Sequence, residues 1–396
     1  MDNLGLLAAG LLLTACILNA GAGTNESNVC LRGSLANCRL RFERERKGHV
    51  AFIGGSITEM NGYRPMVMAI LKRRFPDTAF TFTDAGIAST CSNTGAFRLA
   101  DHVLSQGPVD LFFVEFAVND DQDAAYPRRE CLRGMEGIVR HTRLHNPHAD
   151  IVITYFVNPG MLKLLQAGKT PVPMEAHEAV ARHYQCSTIH LAREVAERIT
   201  AGSLTWKVYG GTHPKPAGNR ICADMIDQLM AQAWKAPLSA DAKPAPYPMP
   251  EPLDPHSYFR GRFLPLVDAK LKGGWTLGVP EWKTLKGNCR ARFANATMLS
   301  ATDPGAELSL AFEGTAIGAY ILAGPDAGIV ETSIDGGPFT PCELYHRFSR
   351  GLHYPRTVVF HTDLKPGRHT LVLRTTDRRN SASIGHAMRI LHFVAN

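Results

Sequence analysis

The chain has 396 residues, of which 45% are hydrophobic and 20% charged, and it carries a formal net charge of +7. That length allows two domains with separate cores, and the composition excludes a disordered or collagen-like chain. The basic residues are scattered, and their densest cluster, RFERERK at 41–47, is interrupted by Glu43 and Glu45, which argues against a nucleic-acid-binding stripe.

From the N-terminus, residues 4–23 (LGLLAAGLLLTACILNAGAG) form the one long uncharged stretch. Residues 1–23 are therefore expected to be an export signal rather than a membrane-spanning anchor, although MDN lacks the usual basic residue. Within the stretch, LTAC (13–16) resembles a bacterial lipobox, in which Cys16 would be acylated after cleavage. Cleavage near AGAG, with Cys16 removed, is the alternative. Either way the protein is expected at the envelope, in the periplasm or outside the cell, and it would touch a membrane only through a lipid on Cys16. Nine cysteines then leave eight, with Cys30–Cys38 and Cys289–Cys342 as local candidate pairs.

After a lead-in over 24–48, residues 49–235 alternate strand and helix patterns. Strands are expected at 49–55, 80–86, 109–118, 150–157 and 186–191, and helices at 63–75, to about 104, across 124–145 and at 173–184. The run VDLFFVEFAV is apolar throughout, as a strand covered on both faces must be. This alternation implies a parallel sheet with helices on both faces. Residues 236–255 hold most of a Pro-rich, aperiodic stretch and read as a linker. Residues 256–396 carry short strand patterns divided by turns such as Asp335-Gly336-Gly337, which implies a β-sandwich.

Ligands of an open parallel sheet gather at the carboxyl ends of its strands. Four such ends carry reactive or donor groups: Ser56 after 49–55, Gly86 after 80–86, Asn119 after 109–118, and His213 in YGGTHPKPAGN (209–219). A serine hydroxyl needs a base, and acyl transfer also needs donors for the developing oxyanion. A hydroxyl, a backbone amide, a side-chain amide and an imidazole supply these parts.

In this order the four residues resemble the SGNH (GDSL) hydrolase family over residues 49–235. The resemblance implies a flavodoxin-like three-layer α/β domain, with Ser56 as nucleophile and His213 as base. Ser56, Gly86 and Asn119 would then form the oxyanion hole. The sequence departs from the family at Gly55, where the family has Asp, at Ala117, where it has Gly, and at Gly210, where the triad Asp would stand. The last departure resembles carbohydrate esterases in which a backbone carbonyl orients the histidine, so a Ser56–His213 dyad is expected, with no cofactor and no metal.

Other acids and histidines carry competing readings. Asp120, with Asp121 and Asp123, reads as a helix cap with first-turn acids, or as a supporting acid. Glu115 inside an apolar strand must be paired or lie near the site, and with Glu59 it would form a glycosidase-like pair. HEAVARH (177–183) lacks the HExxH spacing, and His141, His145 and His148 read as a solvated helix end. Trp275, Trp282, Tyr320, Tyr345, His353 and Tyr354 are core or interface residues, with a sugar-stacking surface as the alternative. The expected function is hydrolysis of acyl, above all acetyl, esters on a carbohydrate. Alternatives are a lipase, thioesterase or arylesterase, a glycosidase using Glu115 or Asp120, and an inactive carbohydrate-binding surface lipoprotein.

Overall fold

The computed structural model describes residues 27–396, so the expected export signal and Cys16 lie outside the described residues. Within them no helix is long and apolar enough to cross a membrane. The first sheet is built from β1 (Val29–Cys30), β2 (Lys47–Gly54), β3 (Ala79–Gly86), β4 (Leu111–Glu115), β5 (Asp150–Thr154) and β6 (Ser187–Ile189), in the order β1-β6-β5-β4-β2-β3. Strands β2 to β6 run parallel, and β1 adds an antiparallel edge. Thus residues 24–48 are not merely a lead-in, because they supply an edge strand and the helix α1 (Ala36–Leu40).

Helices α2 (Ser56–Glu59), α3 (Tyr63–Arg74), α4 (Ser92–Phe97), α5 (Leu99–His102), α6 (Ala117–Gln122), α7 (Arg128–His145), α8 (Pro159–Gln166), α9 (Val172–His183), α10 (Leu191–Thr200), α11 (Trp206–Tyr209) and α12 (Pro216–Ala233) complete this layer. Since β2 lies between β3 and β4, the connections leave it in opposite senses, and the turns after β2 and β4 flank the crevice where such sheets bind ligands.

Strand β4 ends at Glu115, three residues earlier than expected. Phe116 breaks the extended run (φ −150°, ψ −2°) and Ala117 opens α6. A continuous apolar run does not itself distinguish a buried strand from a buried helix start. The helix expected from 124 begins at Arg128, where Pro127, extended at φ −64° and ψ 157°, precedes the first turn. Helix α8 was not anticipated. Its start is marked by Asn158, whose Oδ1 accepts the Met161 N–H at 2.9 Å, a cap legible in Asn-Pro.

The strand pairs of the C-terminal part are all antiparallel. One sheet runs β15 (Tyr354–His361), β12 (Ile317–Ala323), β17 (Met388–Ala395), β10 (Met298–Ala301) and β9 (Thr276–Gly278), with β7 (Arg262–Leu264) also on β17. The other runs β14 (Thr340–Glu343), β13 (Gly328–Ile334), β16 (Arg368–Arg379), β11 (Glu307–Glu313) and β8 (Lys270–Lys272). Leu308, Leu310, Ile321, Leu371, Leu373 and Ile390 fill the space between them. This is the expected sandwich.

The Pro-rich stretch is extended but fastened. Asn37 exchanges two hydrogen bonds with Ala245, both 2.9 Å, and Arg143 lies 3.9 Å over the Tyr247 ring. Beyond it, buried Arg133 binds Asp254 and Asp363, joining α7 to the sandwich. The first core also runs into the sandwich through Tyr258, Phe293, Tyr320 and Leu391. Tyr320, His353, Tyr354 and Trp275 are all buried, so these are core and interface residues rather than a sugar platform. Neither expected disulfide forms, as all eight described cysteines are free; Cys38 instead sits buried, its N–H donating to Asp150 Oδ2 at 2.8 Å.

Candidate active site

Strand β2 delivers Gly54, Gly55 and Ser56 to the sheet's carboxyl edge, and Ser56 opens α2. Its Oγ lies 2.8 Å from His213 Nε2, although the residues are 157 positions apart. The Ser56 N–H has no acceptor among the described residues.

Glu115, at the end of β4 and 1% exposed, lies under this turn. Its Oε1 accepts the Gly55 N–H at 2.9 Å and the Thr58 hydroxyl at 2.7 Å, and Thr58 meets the Tyr63 hydroxyl at 3.1 Å. Burial raises its pKa to about 7 against the opposing pull of those hydrogen bonds. A carboxyl group so enclosed cannot meet a glycosidic bond. Glu59, the expected partner, is engaged elsewhere, accepting the Ala88 N–H at 3.0 Å and pairing with Arg292 at 3.2 Å. On the other side of the turn, fully buried Arg98 donates to the Gly54 carbonyl at 3.2 Å. Burial lowers its pKa to about 10, which leaves it a cation at neutral pH.

Asn119, on α6 and 2% exposed, stands against Gly55 so closely that a Cβ there would lie 2.2 Å from Asn119 Oδ1. That contact explains glycine where the resembled family has Asp. Asn119 Nδ2 donates to Asp123 Oδ2 at 2.7 Å, which uses one of its two N–H groups. Gly86 ends β3, and a Cβ on it would fall 2.3 Å from the Glu59 backbone nitrogen. Only glycine lets α2 lie this close. The Gly86 N–H is not free, since Asp84 Oδ1 accepts it at 3.0 Å.

Asp120 is buried away from the crevice. Its Oδ1 accepts the Ser92 N–H at 2.8 Å and its Oδ2 meets His177 Nε2 at 3.0 Å. It therefore caps α4 rather than its own helix, and with Glu115 it belongs to the scaffold behind the turn.

His213 is exposed in the loop before α12. Gly210 and Gly211 both take left-handed conformations there (φ 114° and 92°), and a Cβ on Gly210 would lie 2.2 Å from the Lys215 nitrogen. The triad Asp position thus has no room for a side chain. Asn219 Nδ2 holds the far side of the loop through the Pro214 and Lys215 carbonyls, at 2.7 and 3.1 Å. The expected main-chain partner for Nδ1 is not found: Ser56 is the hydrogen-bond partner of the His213 ring among the described residues.

The sandwich reaches this crevice through two arginines that carry no signal in the sequence, and through Tyr354, expected above as a core or interface residue. Arg290 donates to the Ala88 carbonyl at 2.7 Å and to Ser89 Oγ at 2.8 Å, Arg292 pairs with Glu59, and Tyr354 donates to the Ser89 carbonyl at 3.2 Å. They hold Ser89 at φ 69°, in the turn that follows Gly86. Contacts about 200 residues apart leave no local signal.

Residues 52–221 match the GDSL-like lipase/acylhydrolase family. No curated protein matches the chain. Among solved structures, a two-domain esterase active on acetylated mannans, crystallised with mannopentaose, superposes with a TM-score of 0.72 at 19% identity, covering 93% of this chain and 96% of that one. An acetylxylan esterase from Geobacillus stearothermophilus covers 46% of this chain and 94% of its own, at 17% identity and a TM-score of 0.36. The first likeness extends the shared fold across both parts of the chain.

Proposed function

We propose that this chain, whose residues 52–221 match the GDSL-like lipase/acylhydrolase family, removes acetyl groups from a carbohydrate with Ser56 as nucleophile and His213 as general base. The observation that carries the reading is the 2.8 Å contact between Ser56 Oγ and His213 Nε2 at the sheet's carboxyl edge.

In this mechanism His213 Nε2 takes the hydroxyl proton as Ser56 Oγ attacks the acetyl carbon. The tetrahedral oxyanion forms beside the Ser56 N–H and the second N–H of Asn119 Nδ2, with the Gly86 N–H shared between the oxyanion and Asp84. The imidazolium then protonates the departing sugar oxygen, leaving an acetyl-Ser56 ester. Water, deprotonated by His213, attacks that ester and releases acetate. With no carboxylate beside Nδ1, solvent hydrates that nitrogen at the exposed ring, which makes this a dyad. Glu115 and Arg98 act through the turn: one fixes the Gly55 N–H and Thr58, the other the Gly54 carbonyl.

Two features favour a carbohydrate ester: the likeness to an esterase described as active on acetylated mannans, and a sandwich whose arginines reach the loop beside Ser56. Delivery to the cell envelope or beyond, directed by residues 1–23, belongs to the same proposal. Acetate release from acetylated manno- and xylo-oligosaccharides, compared with long-acyl and aryl esters, tests it. Preference for the acetylated oligosaccharides supports the reading. Preference for long acyl chains makes the protein a lipase, and absence of hydrolysis of any ester makes it a binder.

A further inference from the structure

A second cluster of reactive groups lies at the opposite edge of the first sheet, on the β1–β6 pair. Val29 opposes Ile189 and Cys30 opposes Thr188, so side chains at 28, 30, 188 and 190 share one face of the ribbon, and Cys30 and His190 are diagonal neighbours. The His190 N–H donates to the Asn28 carbonyl at 2.8 Å, which fixes that register. Behind the imidazole, His190 Nε2 lies 3.3 Å from Glu178 Oε2, and the same carboxylate oxygen accepts the Tyr155 hydroxyl at 2.9 Å while Arg32 pairs with Oε1. Glu178 and His190 also line a cavity of about 350 Å³ with Leu165, Met174 and Ala179.

The order thiol, imidazole, carboxylate is the arrangement that turns a cysteine into a nucleophile, because the imidazolium stabilises the thiolate and the carboxylate stabilises the imidazolium. We propose that Cys30, backed by His190 and Glu178, is a reactive thiol that takes up small thiol-bearing molecules as mixed disulfides by exchange with a low-molecular-weight disulfide. The Cys30 thiolate attacks one sulfur of the disulfide, a new S–S bond forms on Cys30, and the other half leaves as a thiolate that takes a proton from water. No external oxidant is consumed, and His190 keeps its proton throughout.

The charges around the thiol agree. The neighbouring His190 imidazole lowers the Cys30 pKa, outweighing partial burial, with Arg32 adding to the effect, while the thiol itself donates to the Ser27 carbonyl at 3.0 Å. For His190, burial opposes the charged form, but Cys30 and Glu178 together raise its pKa. Glu178 is carried down to about 2 against its own burial by His190 and Arg32. Asn28, on the same face, binds Arg193, Glu194 and Glu197, so their charges lie close but are tied to one another. The remaining thiols differ: Cys38, Cys91, Cys131, Cys186 and Cys222 are buried, and burial raises Cys289 and Cys342, the latter to about 11.

Iodoacetamide and the aromatic disulfide dithiobis(nitrobenzoate) test this on the native protein between pH 5.5 and 9, with peptide mapping of the modified residue. Cys30 is expected to react first with both reagents, at least tenfold faster than Cys289 or Cys342 at pH 7. Its rate should reach half its maximum well below the value near 8.5 of an ordinary thiol. Cys30→Ser should remove the fast phase. His190→Gln should slow it about tenfold at pH 7 and move the profile toward that of a free thiol, while labelling after denaturation stays equal to wild type. Fast labelling elsewhere, or a His190→Gln profile identical to wild type, would overturn the proposal. If His190→Gln does not fold, the wild-type profile decides, and an ordinary thiol profile for Cys30 contradicts it.

Discussion

Glu115 Oε1 accepts the Gly55 N–H at 2.9 Å, so a carboxyl group with 1% exposure holds the turn that presents Ser56. The fold keeps this group protonated up to a pH near 7, whereas an unfolded glutamate releases its proton near 4.3. Between those values the folded chain binds more protons, so the contribution of Glu115 to stability falls as pH rises through the window and is level above it. Urea unfolding of wild type and Glu115→Gln from pH 4.5 to 8 should diverge across that window by up to about 3 kcal/mol, the wild type losing ground with rising pH. Parallel curves would place the Glu115 proton elsewhere. Glu115→Ala should lower turnover by more than Glu115→Gln, since only the amide keeps an acceptor for the Gly55 N–H.

Restoring the family carboxylate should not help. In Gly210→Asp the new Cβ falls 2.2 Å from the Lys215 nitrogen in a backbone at φ 114°. The substitution is expected to cost about 1–3 kcal/mol and to lower ester hydrolysis, because the loop carrying His213 must move. Turnover raised by Gly210→Asp would show that a triad can be rebuilt there.

Arg292 is a positioning residue in the same account. Its pair with Glu59 is partly exposed, so Arg292→Ala should change stability by no more than about 1 kcal/mol. Yet Glu59 also accepts the Ala88 N–H, and its loss of anchorage loosens the turn after Gly86. Turnover should fall about tenfold with KM for a small ester little changed, and Arg292→Lys should recover part of it. Equal turnover in both variants would make the contact purely structural.

Asn119→Ala should lower turnover by roughly 10²- to 10³-fold, as removal of one placed oxyanion donor does. An unchanged turnover would mean that the amide serves only Asp123.

Much of this site was legible before any coordinates. Ser56, Gly86, Asn119 and His213 stand out as candidates because strand ends in a parallel sheet face one edge, and period and turn residues mark strand ends; of these, Ser56 and His213 meet at 2.8 Å. Gly210 was legible as a gap but not as a necessity, since its conformation depends on a return contact with Lys215. Glu115 stood out as a charge in an apolar run, yet its role could not be read from the run, because the groups it serves come from another strand. The 109–118 run hid a strand end and a helix start. Arg290 and Arg292 left no mark at all, as their partners lie far away in sequence. Phe293 and Tyr320 likewise join the first core from far along the chain, a packing that no local pattern announces.

The central claim is that Ser56 carries the acyl group. Intact-mass measurement after a fluorophosphonate probe, on wild type, Ser56→Ala and His213→Ala, tests it most directly. The account predicts one adduct per wild-type chain, mapped to Ser56, none on Ser56→Ala, and slow formation on His213→Ala, with ester hydrolysis lost in step. A Ser56→Ala protein that remains labelled at another residue, or that hydrolyses an acetyl ester at the wild-type rate, would contradict it.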